Sequence, residues 1–265
     1  MSNYTITPLD PETAAAHLFH VRQVAPLVHC STNEVVQEIT ANVLRALGAS
    51  PAMVVAPEEA SHFAALASAV SINVGTPRQD TLTAMHLAAH SANAHHVPWV
   101  LDPVAAGVLA WRDKQINGLI ALKPTAIRGN ASEIRALAGV GSGGKGVDST
   151  DASETAIEAA IGLARKTGAI VCVTGVVDYV TDGYDILSVK GGSPKSTMVV
   201  GTGCSLSSMV AAYLAQTEHP LQAVASACAL AKLAAQQAAG VASGPGSFKV
   251  AYIDALHLIQ AKDFY

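Results

Sequence analysis

The most informative run in this chain is Gly201-Thr-Gly-Cys-Ser-Leu-Ser-Ser-Met-Val-Ala-Ala-Tyr-Leu-Ala215. A short β-rich segment, 197–200, precedes the glycines, and a helix of small and apolar residues follows them. At such a turn, free backbone N–H groups and the helix dipole favour a phosphate or another anion. Cys204 falls in the first helical turn, where we expect the pKa of its thiol to be lowered. This pattern predicts an anion cradle beside a candidate base, as phosphoryl transfer requires; the alternative is a plain turn with Cys204 as a small buried residue.

Strand-like and helix-like segments alternate along the whole chain. Short apolar strands separated by helices predict a mostly parallel sheet covered on both faces. No linker or internal repeat interrupts the pattern, so we expect one domain over residues 1–265. The predicted strands are 27–30, 52–55, 70–74, 99–102, 126–128 and 169–174, with a β-excursion over 179–190. The predicted helices are 11–24, 34–47 capped by Asn33, 58–68, 80–95, one from 131, 153–167, 205–215, 221–239 and 247–261.

Several residues of chemical interest fall at or just after the ends of predicted strands. In parallel sheets, ligands bind at the carboxyl ends of the strands. We therefore expect these scattered positions to converge on one edge of the sheet. They are Asn33, Gly75, Asp102, Arg128, Thr174 and Gly201.

Composition excludes several classes of function. The chain has 265 residues, of which half are hydrophobic and 14% are charged, so we expect a large core together with a homo-oligomer. A net charge of −4 argues against nucleic acid and against an anionic membrane surface as partners. The first residues lack the basic and apolar segments of a signal peptide. The four cysteines lie far apart without a C-x-x-C pair, which argues against a disulfide framework or zinc site and suits a reducing cytoplasm.

Three charged positions allow both a structural and a functional interpretation. Asn130 and Glu133 have the spacing of a helix capping pair, but Glu133 also suits Mg²⁺ or a metal-bound water. Asp102 caps a turn or helps to hold Mg²⁺. Arg128 is a surface residue or, beside a phosphate cradle, a partner of a nucleotide triphosphate.

Two further patterns resemble known motifs by letter but not by context. The glycine-rich run 139–146 matches G-x-G-x-x-G, but it follows a predicted helix, and Gly146 stands where a P-loop needs Ser or Thr. We interpret this run as a mobile flap. His86 and His90 have the i, i+4 spacing of a helical zinc pair, but no third ligand is evident, so we interpret them as a solvated helix face.

Several stretches of the chain, in order, resemble the hydroxyethylthiazole kinase family of the ribokinase-like superfamily. The combination of Arg-Gly-Asn-Ala-Ser-Glu with Gly-Thr-Gly-Cys is the most specific part of this resemblance to the family. The matching stretches are 26–33, 40–53, 72–76, 98–104, 126–134, 145–148, 173–175, 201–204 and 244–248.

The resemblance implies a three-layer α/β/α fold and an ATP- and Mg²⁺-dependent kinase. Its acceptor would be the alcohol of 4-methyl-5-(2-hydroxyethyl)thiazole, in a salvage step of thiamine biosynthesis. The family is trimeric, with the thiazole pockets at the subunit interfaces. Carried over by position, Cys204 lies at the reacting hydroxyl, and the remaining residues divide into three sets. The thiazole site is lined by Asn33, Met53, Gly75 and Gly201; ATP is contacted by Arg128 and Thr174; Asp102 and Glu133 lie beside the phosphates and Mg²⁺.

One departure from the family pattern bears on function. An acidic residue is expected after Val173-Thr-Gly175, but this chain has Val176, which predicts weaker binding of Mg²⁺-ATP. The alternatives are a ribokinase-like kinase for another small alcohol and a thiazole-binding protein with impaired catalysis. A cysteine hydrolase using Cys204 is a third, although His29, its candidate base, is distant in sequence.

Overall fold

The computed structural model describes residues 4–140 and 149–265, with the side chains of 149–154 excepted. The described residues form strands and helices in alternation. The strands are β1 (Ile6–Pro8), β2 (Leu27–Ser31), β3 (Ser50–Ala52), β4 (Ala69–Asn73), β5 (Trp99–Asp102), β6 (Ala126–Asn130), β7 (Ile170–Thr174), β8 (Asp178–Thr181) and β9 (Ile186–Val189). The helices are α1 (Pro11–Val24), α2 (Gln37–Leu47), α3 (Pro57–Leu66), α4 (Gln79–Ala94), α5 (Ala110–Ala121), α6 (Ala131–Leu137), α7 (Ser149–Thr167), α8 (Thr202–Leu214), α9 (Pro220–Val241) and α10 (Pro245–Leu258).

All nine strands belong to one sheet in the order β1-β9-β8-β7-β6-β5-β4-β2-β3. Strand β8 is antiparallel to both of its neighbours, and every other pairing is parallel. The sheet is therefore mostly parallel, and helices cover both of its faces, which confirms the predicted architecture. The β-excursion expected over 179–190 is the β8–β9 hairpin.

Two apolar clusters fill the space on either side of the sheet. One contains helices α1, α2, α8, α9 and α10, and the other contains α3 to α7. Successive side chains of a strand point to opposite faces. In β4, for example, Val70 and Ile72 join the second cluster, whereas Ala69 joins the first and Ser71 bonds Ser208 of α8.

The same alternation places the last residues of the central strands on one face. In β5 to β7, the residues two positions before Asp102, Arg128 and Thr174 belong to the cluster that contains α8 and α9. These three side chains therefore share that face of the sheet, at its carboxyl edge. The fold thus brings polar groups from separate strands to the start of α8.

Some predicted elements differ from the structure. Residues 197–200 do not form a strand, because Pro194 starts a 3₁₀ turn over Pro194–Met198 and the chain enters α8 directly from it. Asn33 is not the cap of α2, since a turn intervenes and the helix begins at Gln37. Strand β3 begins two residues earlier than expected, and β1 and α5 were not predicted.

Two segments singled out in the sequence cannot be compared in full with the structure. The glycine-rich run 139–146 and the matching stretch 145–148 fall largely outside the described residues.

Among the helices that the structure describes, none combines the length and apolar character needed to cross a bilayer.

Candidate active site

The start of α8 forms the centre of the candidate site. Gly201 has φ = 96°, and a Cβ atom there would lie 2.5 Å from Ile39 Cγ2, so both the backbone and the packing require glycine. Ser205 N donates to Gly201 O at 2.8 Å and closes the first helical turn. The N–H groups of residues 202–204 precede that bond and belong to the positive end of the helix dipole. This geometry suits the predicted anion cradle.

The guanidinium group of Arg128 lies against this helix start. A Cβ atom on Gly203 would be 3.1 Å from Arg128 Nη1, so glycine permits the close approach. Arg128 Nη2 donates to Thr174 Oγ1, and Nη1 lies 3.9 Å from Asp102 Oδ2. Its side chain is 11% exposed, and its Nε has no hydrogen-bond partner in the described structure. A buried cation with spare donors therefore faces the helix N-terminus.

Asp102 is the acidic partner of Arg128 and is 1% exposed. Its Oδ2 accepts hydrogen bonds from Asn73 Nδ2 at 2.7 Å and Ser207 Oγ at 2.8 Å. Burial raises the pKa of the Asp102 carboxyl to about 6, although the nearby Arg128 charge acts in the opposite direction. Asp102 is thus held from two sides on the face of the sheet that α8 covers.

Cys204 joins the network through Asn33. Asn33 Nδ2 lies 3.7 Å from Cys204 Sγ and donates to Asn73 Oδ1 at 2.8 Å. Gly75 follows β4, and its backbone N–H also donates to Asn73 Oδ1, at 3.0 Å. The predicted residues Asn33, Gly75 and Cys204 are therefore brought together with Asp102.

The expected lowering of the Cys204 pKa is wrong. Burial and the negative charge of Asp102 raise the pKa of this thiol. The sequence showed the helix start but not the desolvation of the sulfur, which disfavours the thiolate. Cys204 is partly exposed, whereas the other three cysteines are buried. A protonated thiol at neutral pH is suited to orienting a hydroxyl group.

Glu133 lies in the first turn of α6, at the same edge of the sheet. Asn130 Oδ1 accepts from Glu133 N at 2.9 Å, and Glu133 Oε2 accepts from Asn130 N at 2.8 Å, which is the predicted capping box. Glu133 Oε1 accepts from Ala105 N at 3.0 Å, so both carboxylate oxygens already have a backbone donor. Each retains a lone pair for a metal-bound water, so Glu133 fits a cation held through water.

Met53 is separated from these residues. It follows β3, the edge strand, which lies three strands from β5 in the sheet order. Strands in a sheet are about 4.8 Å apart, so the strand that precedes Met53 runs roughly 14 Å from the strand that carries Asp102. It packs against the apolar cluster that contains α8.

The turn after β7 carries the departure at Val176. The Val176 side chain is 92% exposed, while its carbonyl accepts from Lys232 Nζ at 3.1 Å. Lys232 Nζ also donates to Gly175 O at 3.0 Å and lies 3.2 Å from Asp178 Oδ1. Asp178 accepts from Gly175 N at 2.9 Å, and burial raises the pKa of its carboxyl. This buried ion pair fixes the turn that follows Thr174.

Sequence reasoning missed four residues of this neighbourhood: Asn73, Ser207, Asp178 and Lys232. Asn73 is the last residue of β4 and Asp178 the first residue of β8, so a polar residue at one end of a strand was the available signal. Ser207 and Lys232 lie inside apolar helices and had no such signal. In the described residues, no three His, Cys, Asp or Glu side chains form a cluster able to hold a metal ion.

Comparison with known proteins identifies the family of this chain. The model of the hydroxyethylthiazole kinase family matches residues 18–262. A hydroxyethylthiazole kinase from Tolumonas auensis is 55% identical over 255 residues, which is 96% of each chain. The solved structure of a hydroxyethylthiazole kinase protein from Pyrococcus horikoshii OT3 has a TM-score of 0.86 at 38% identity and 93% coverage of each chain.

A more distant likeness concerns the fold alone. A ribokinase-like superfamily protein from Enterococcus faecalis V583 has a TM-score of 0.65 at 12% identity, covering 97% of this chain and 98% of that one. The sheet order and the helices on both faces are therefore those of the ribokinase-like architecture. The family match over residues 18–262 and the 55% identity to the Tolumonas auensis protein show that the chain belongs to the hydroxyethylthiazole kinase family.

Proposed function

We propose that this protein transfers the γ-phosphoryl group of ATP to the hydroxyl of 4-methyl-5-(2-hydroxyethyl)thiazole, in thiamine salvage, with residues 1–265 acting as one kinase domain. The observation that carries the proposal is the buried Arg128 guanidinium against the open N-terminus of α8, within reach of Asp102 and Thr174. Phosphoryl transfer through a loose transition state needs positioning and charge neutralisation more than a strong base. This arrangement supplies both.

Two groups neutralise the transferred phosphoryl group in the proposed reaction. The backbone N–H groups of residues 202–204 lie at the N-terminus of α8 and would donate hydrogen bonds to the phosphoryl oxygens. Arg128 adds a full positive charge, and the carboxylate of Asp102 raises its pKa despite burial, so it remains protonated. Thr174, which accepts from Arg128, contacts ATP at the same place.

Mg²⁺ is proposed beside Asp102 and Glu133. Bound there with the phosphates, it would offset their negative charge. Glu133 would hold it through water, because both of its oxygens already accept a backbone N–H. Asp102 is buried beside Arg128 and would act through its charge.

Cys204 is proposed to orient the acceptor hydroxyl rather than to act as a strong base. Its raised pKa leaves the thiol protonated at neutral pH, and Asn33 holds the sulfur from one side. Asn33, Gly75 and Gly201 would line the pocket for the polar end of the alcohol. Met53, at the end of the edge strand, would contact an apolar ring.

A homotrimer with active sites at the subunit interfaces fits the surface around the site. Val35, Met198 and Val200 are exposed apolar side chains close in sequence to Asn33 and Gly201. Large exposed apolar side chains next to a binding site are typical of a subunit contact. We propose that a neighbouring subunit covers these side chains and completes the thiazole pocket. We also propose that the protein works in the cytoplasm.

A coupled assay for ADP release tests the function. We expect ADP in the presence of the thiazole alcohol, ATP and Mg²⁺, and none when the alcohol or Mg²⁺ is left out. Faster turnover with another small alcohol would reassign the substrate. Thiazole binding without ADP release would indicate a binding protein, and hydrolysis without an ATP requirement would indicate a cysteine hydrolase.

The role of Cys204 is tested by substitution. Cys204→Asp should keep or improve turnover, because a carboxylate at this position is a better base and also orients a hydroxyl. Cys204→Ala serves as the matched control and should lower kcat. Complete loss of activity in a folded Cys204→Asp variant would contradict the proposed role.

A further inference from the structure

The Asn73 side chain occupies the centre of the polar network, although the proposed chemistry assigns it no role. Its Oδ1 accepts from Gly75 N at 3.0 Å, and its Nδ2 donates to Asp102 Oδ2 at 2.7 Å. A backbone N–H group can only donate, so the contact with Gly75 fixes the oxygen end of the amide. The nitrogen end must therefore face Asp102.

The orientation of Asn33 is fixed in the same way. Asn33 Oδ1 accepts from Val35 N at 3.1 Å, so Asn33 Nδ2 must be the atom that meets Asn73 Oδ1 at 2.8 Å. An amide nitrogen carries two hydrogens. One is used by Asn73, and the same nitrogen lies 3.7 Å from Cys204 Sγ. The sulfur is thus the acceptor in this contact.

Resting on the proposed function, we infer that Asn73 is a positioning residue that links Asp102 to Asn33 and thereby holds an N–H group on Cys204 Sγ. Both amides are buried, with exposures of 1% for Asn73 and 6% for Asn33. A buried amide is costly unless its donors and acceptors are satisfied, so these orientations are strongly held. With one side of the sulfur occupied by Asn33, its other side is left for the hydroxyl of the alcohol.

Ser207 provides a matched control for this inference. Its Oγ donates to the same Asp102 oxygen as Asn73, but within the described residues it forms no hydrogen bond with Asn33. Ser207→Ala removes one donor from Asp102 and leaves the link to Cys204 intact. Asn73→Ala removes a donor from Asp102 and the anchor of Asn33 together.

The test measures how alkylation of Cys204 by iodoacetamide depends on pH, with the modified residue identified by mass spectrometry. The midpoint of this profile reports the titration of the thiol and does not depend on access of the reagent. Asp102 on β5 and Arg128 on β6 are the charged groups that act on this thiol, and both variants keep them; the amides of Asn73 on β4 and Asn33 each lower its pKa by hydrogen bonding. We expect Asn73→Ala to raise the midpoint by about half a pH unit, because the thiolate loses a hydrogen bond. Ser207→Ala should shift the midpoint by less than half as much.

Turnover gives a second readout. Asn73→Ala should lower kcat/KM for the thiazole alcohol about tenfold through misplacement of the acceptor, with KM for ATP unchanged within about twofold. A midpoint equal to that of the wild-type protein, or an equal shift in Ser207→Ala, would overturn the inference.

Two provisions keep the test decisive. If Asn73→Ala does not fold, Asn73→Ser, whose shorter side chain cannot reach both partners, is measured in the same way. Alkylation requires no substrate, so a wild-type protein that fails to phosphorylate the alcohol would overturn the proposed function without affecting the inference about Asn73.

Discussion

Two buried acid–base pairs lie on the same face of the sheet, and they differ in how completely the cation is satisfied. Lys232 Nζ lies 3.2 Å from Asp178 Oδ1 and donates to the carbonyls of Gly175 and Val176. Arg128 is 3.9 Å from Asp102, donates to Thr174, and leaves its Nε without a partner in the described residues.

The two pairs differ in how many hydrogen-bond donors of the cation are left without a partner, and this difference suits them to different roles. A lysine has three donors, and Lys232 directs them to groups of its own chain, which leaves nothing for a ligand. Arg128 has five donors and a charge that its carboxylate partner only partly offsets. The first pair therefore holds a turn in place, whereas the incompletely satisfied guanidinium of the second suits the proposed contact with the phosphates.

Removal of Arg128 should have the largest effect on activity. Arg128→Ala should lower kcat/KM about 10³-fold, because the charge that faces the transferred phosphoryl group is lost. Arg128→Lys keeps the charge without the planar fork, and we expect it to recover part of the activity. Steady-state kinetics measure both, and an Arg128→Ala enzyme with more than a tenth of wild-type activity would show that Arg128 does not act on the phosphates.

Removing Lys232 should affect stability instead. Lys232→Met leaves the Asp178 carboxylate buried without its partner, and we expect the free energy of unfolding to fall by about 3 kcal/mol. Denaturant unfolding measures the loss. The double variant Lys232→Met/Asp178→Asn removes both charges and should recover most of it. A double variant as unstable as the single one would mean that the pair is not the source of the effect.

Titration of Asp102, the partner of Arg128, should also change how the free energy of unfolding depends on pH. The folded-state pKa of Asp102 is about 6, above the value of about 3.9 for a free Asp. The folded protein therefore binds this proton more tightly, and its contribution to stability is full below about pH 4 and is lost as the pH rises through 6. Relative to Asp102→Asn, the wild-type protein should gain about 1 kcal/mol between pH 7 and pH 5. Parallel curves of unfolding free energy for the two proteins would exclude this titration.

The smallest effect is expected at Val176, on the turn that Lys232 holds. Val176→Asp should change the free energy of unfolding by less than about 0.5 kcal/mol, because the side chain is exposed. The new carboxylate should lower KM for Mg²⁺-ATP severalfold by holding a metal-bound water. Val176→Asn is the uncharged control. Equal KM values for Val176→Asp and Val176→Asn would show that the acid expected here has no role in nucleotide binding.

Most of the fold was predictable because its signals are local. The strand Trp99–Asp102 was expected from a short apolar run, and it lies where it was expected. The end of α2 at Gly48 was expected because glycine adopts the left-handed conformation, and it too lies where it was expected. The segment 197–200 was misread because β-branched residues favour strands in general, whereas here Pro194 starts a 3₁₀ turn. The short edge strand β1 gives too weak a pattern to be read alone.

From the sequence alone one could read most of the strands and helices, the glycines at the start of α8, and the polar residues at the strand ends. These features depend on backbone conformation and on side-chain periodicity, which neighbouring residues control. Only the tertiary structure decided which partners those residues meet. The links of Asn73 to Asn33 and Asp102, the raised pKa of Cys204 and the turn held by Lys232 depend on burial and on distances between residues far apart in the chain.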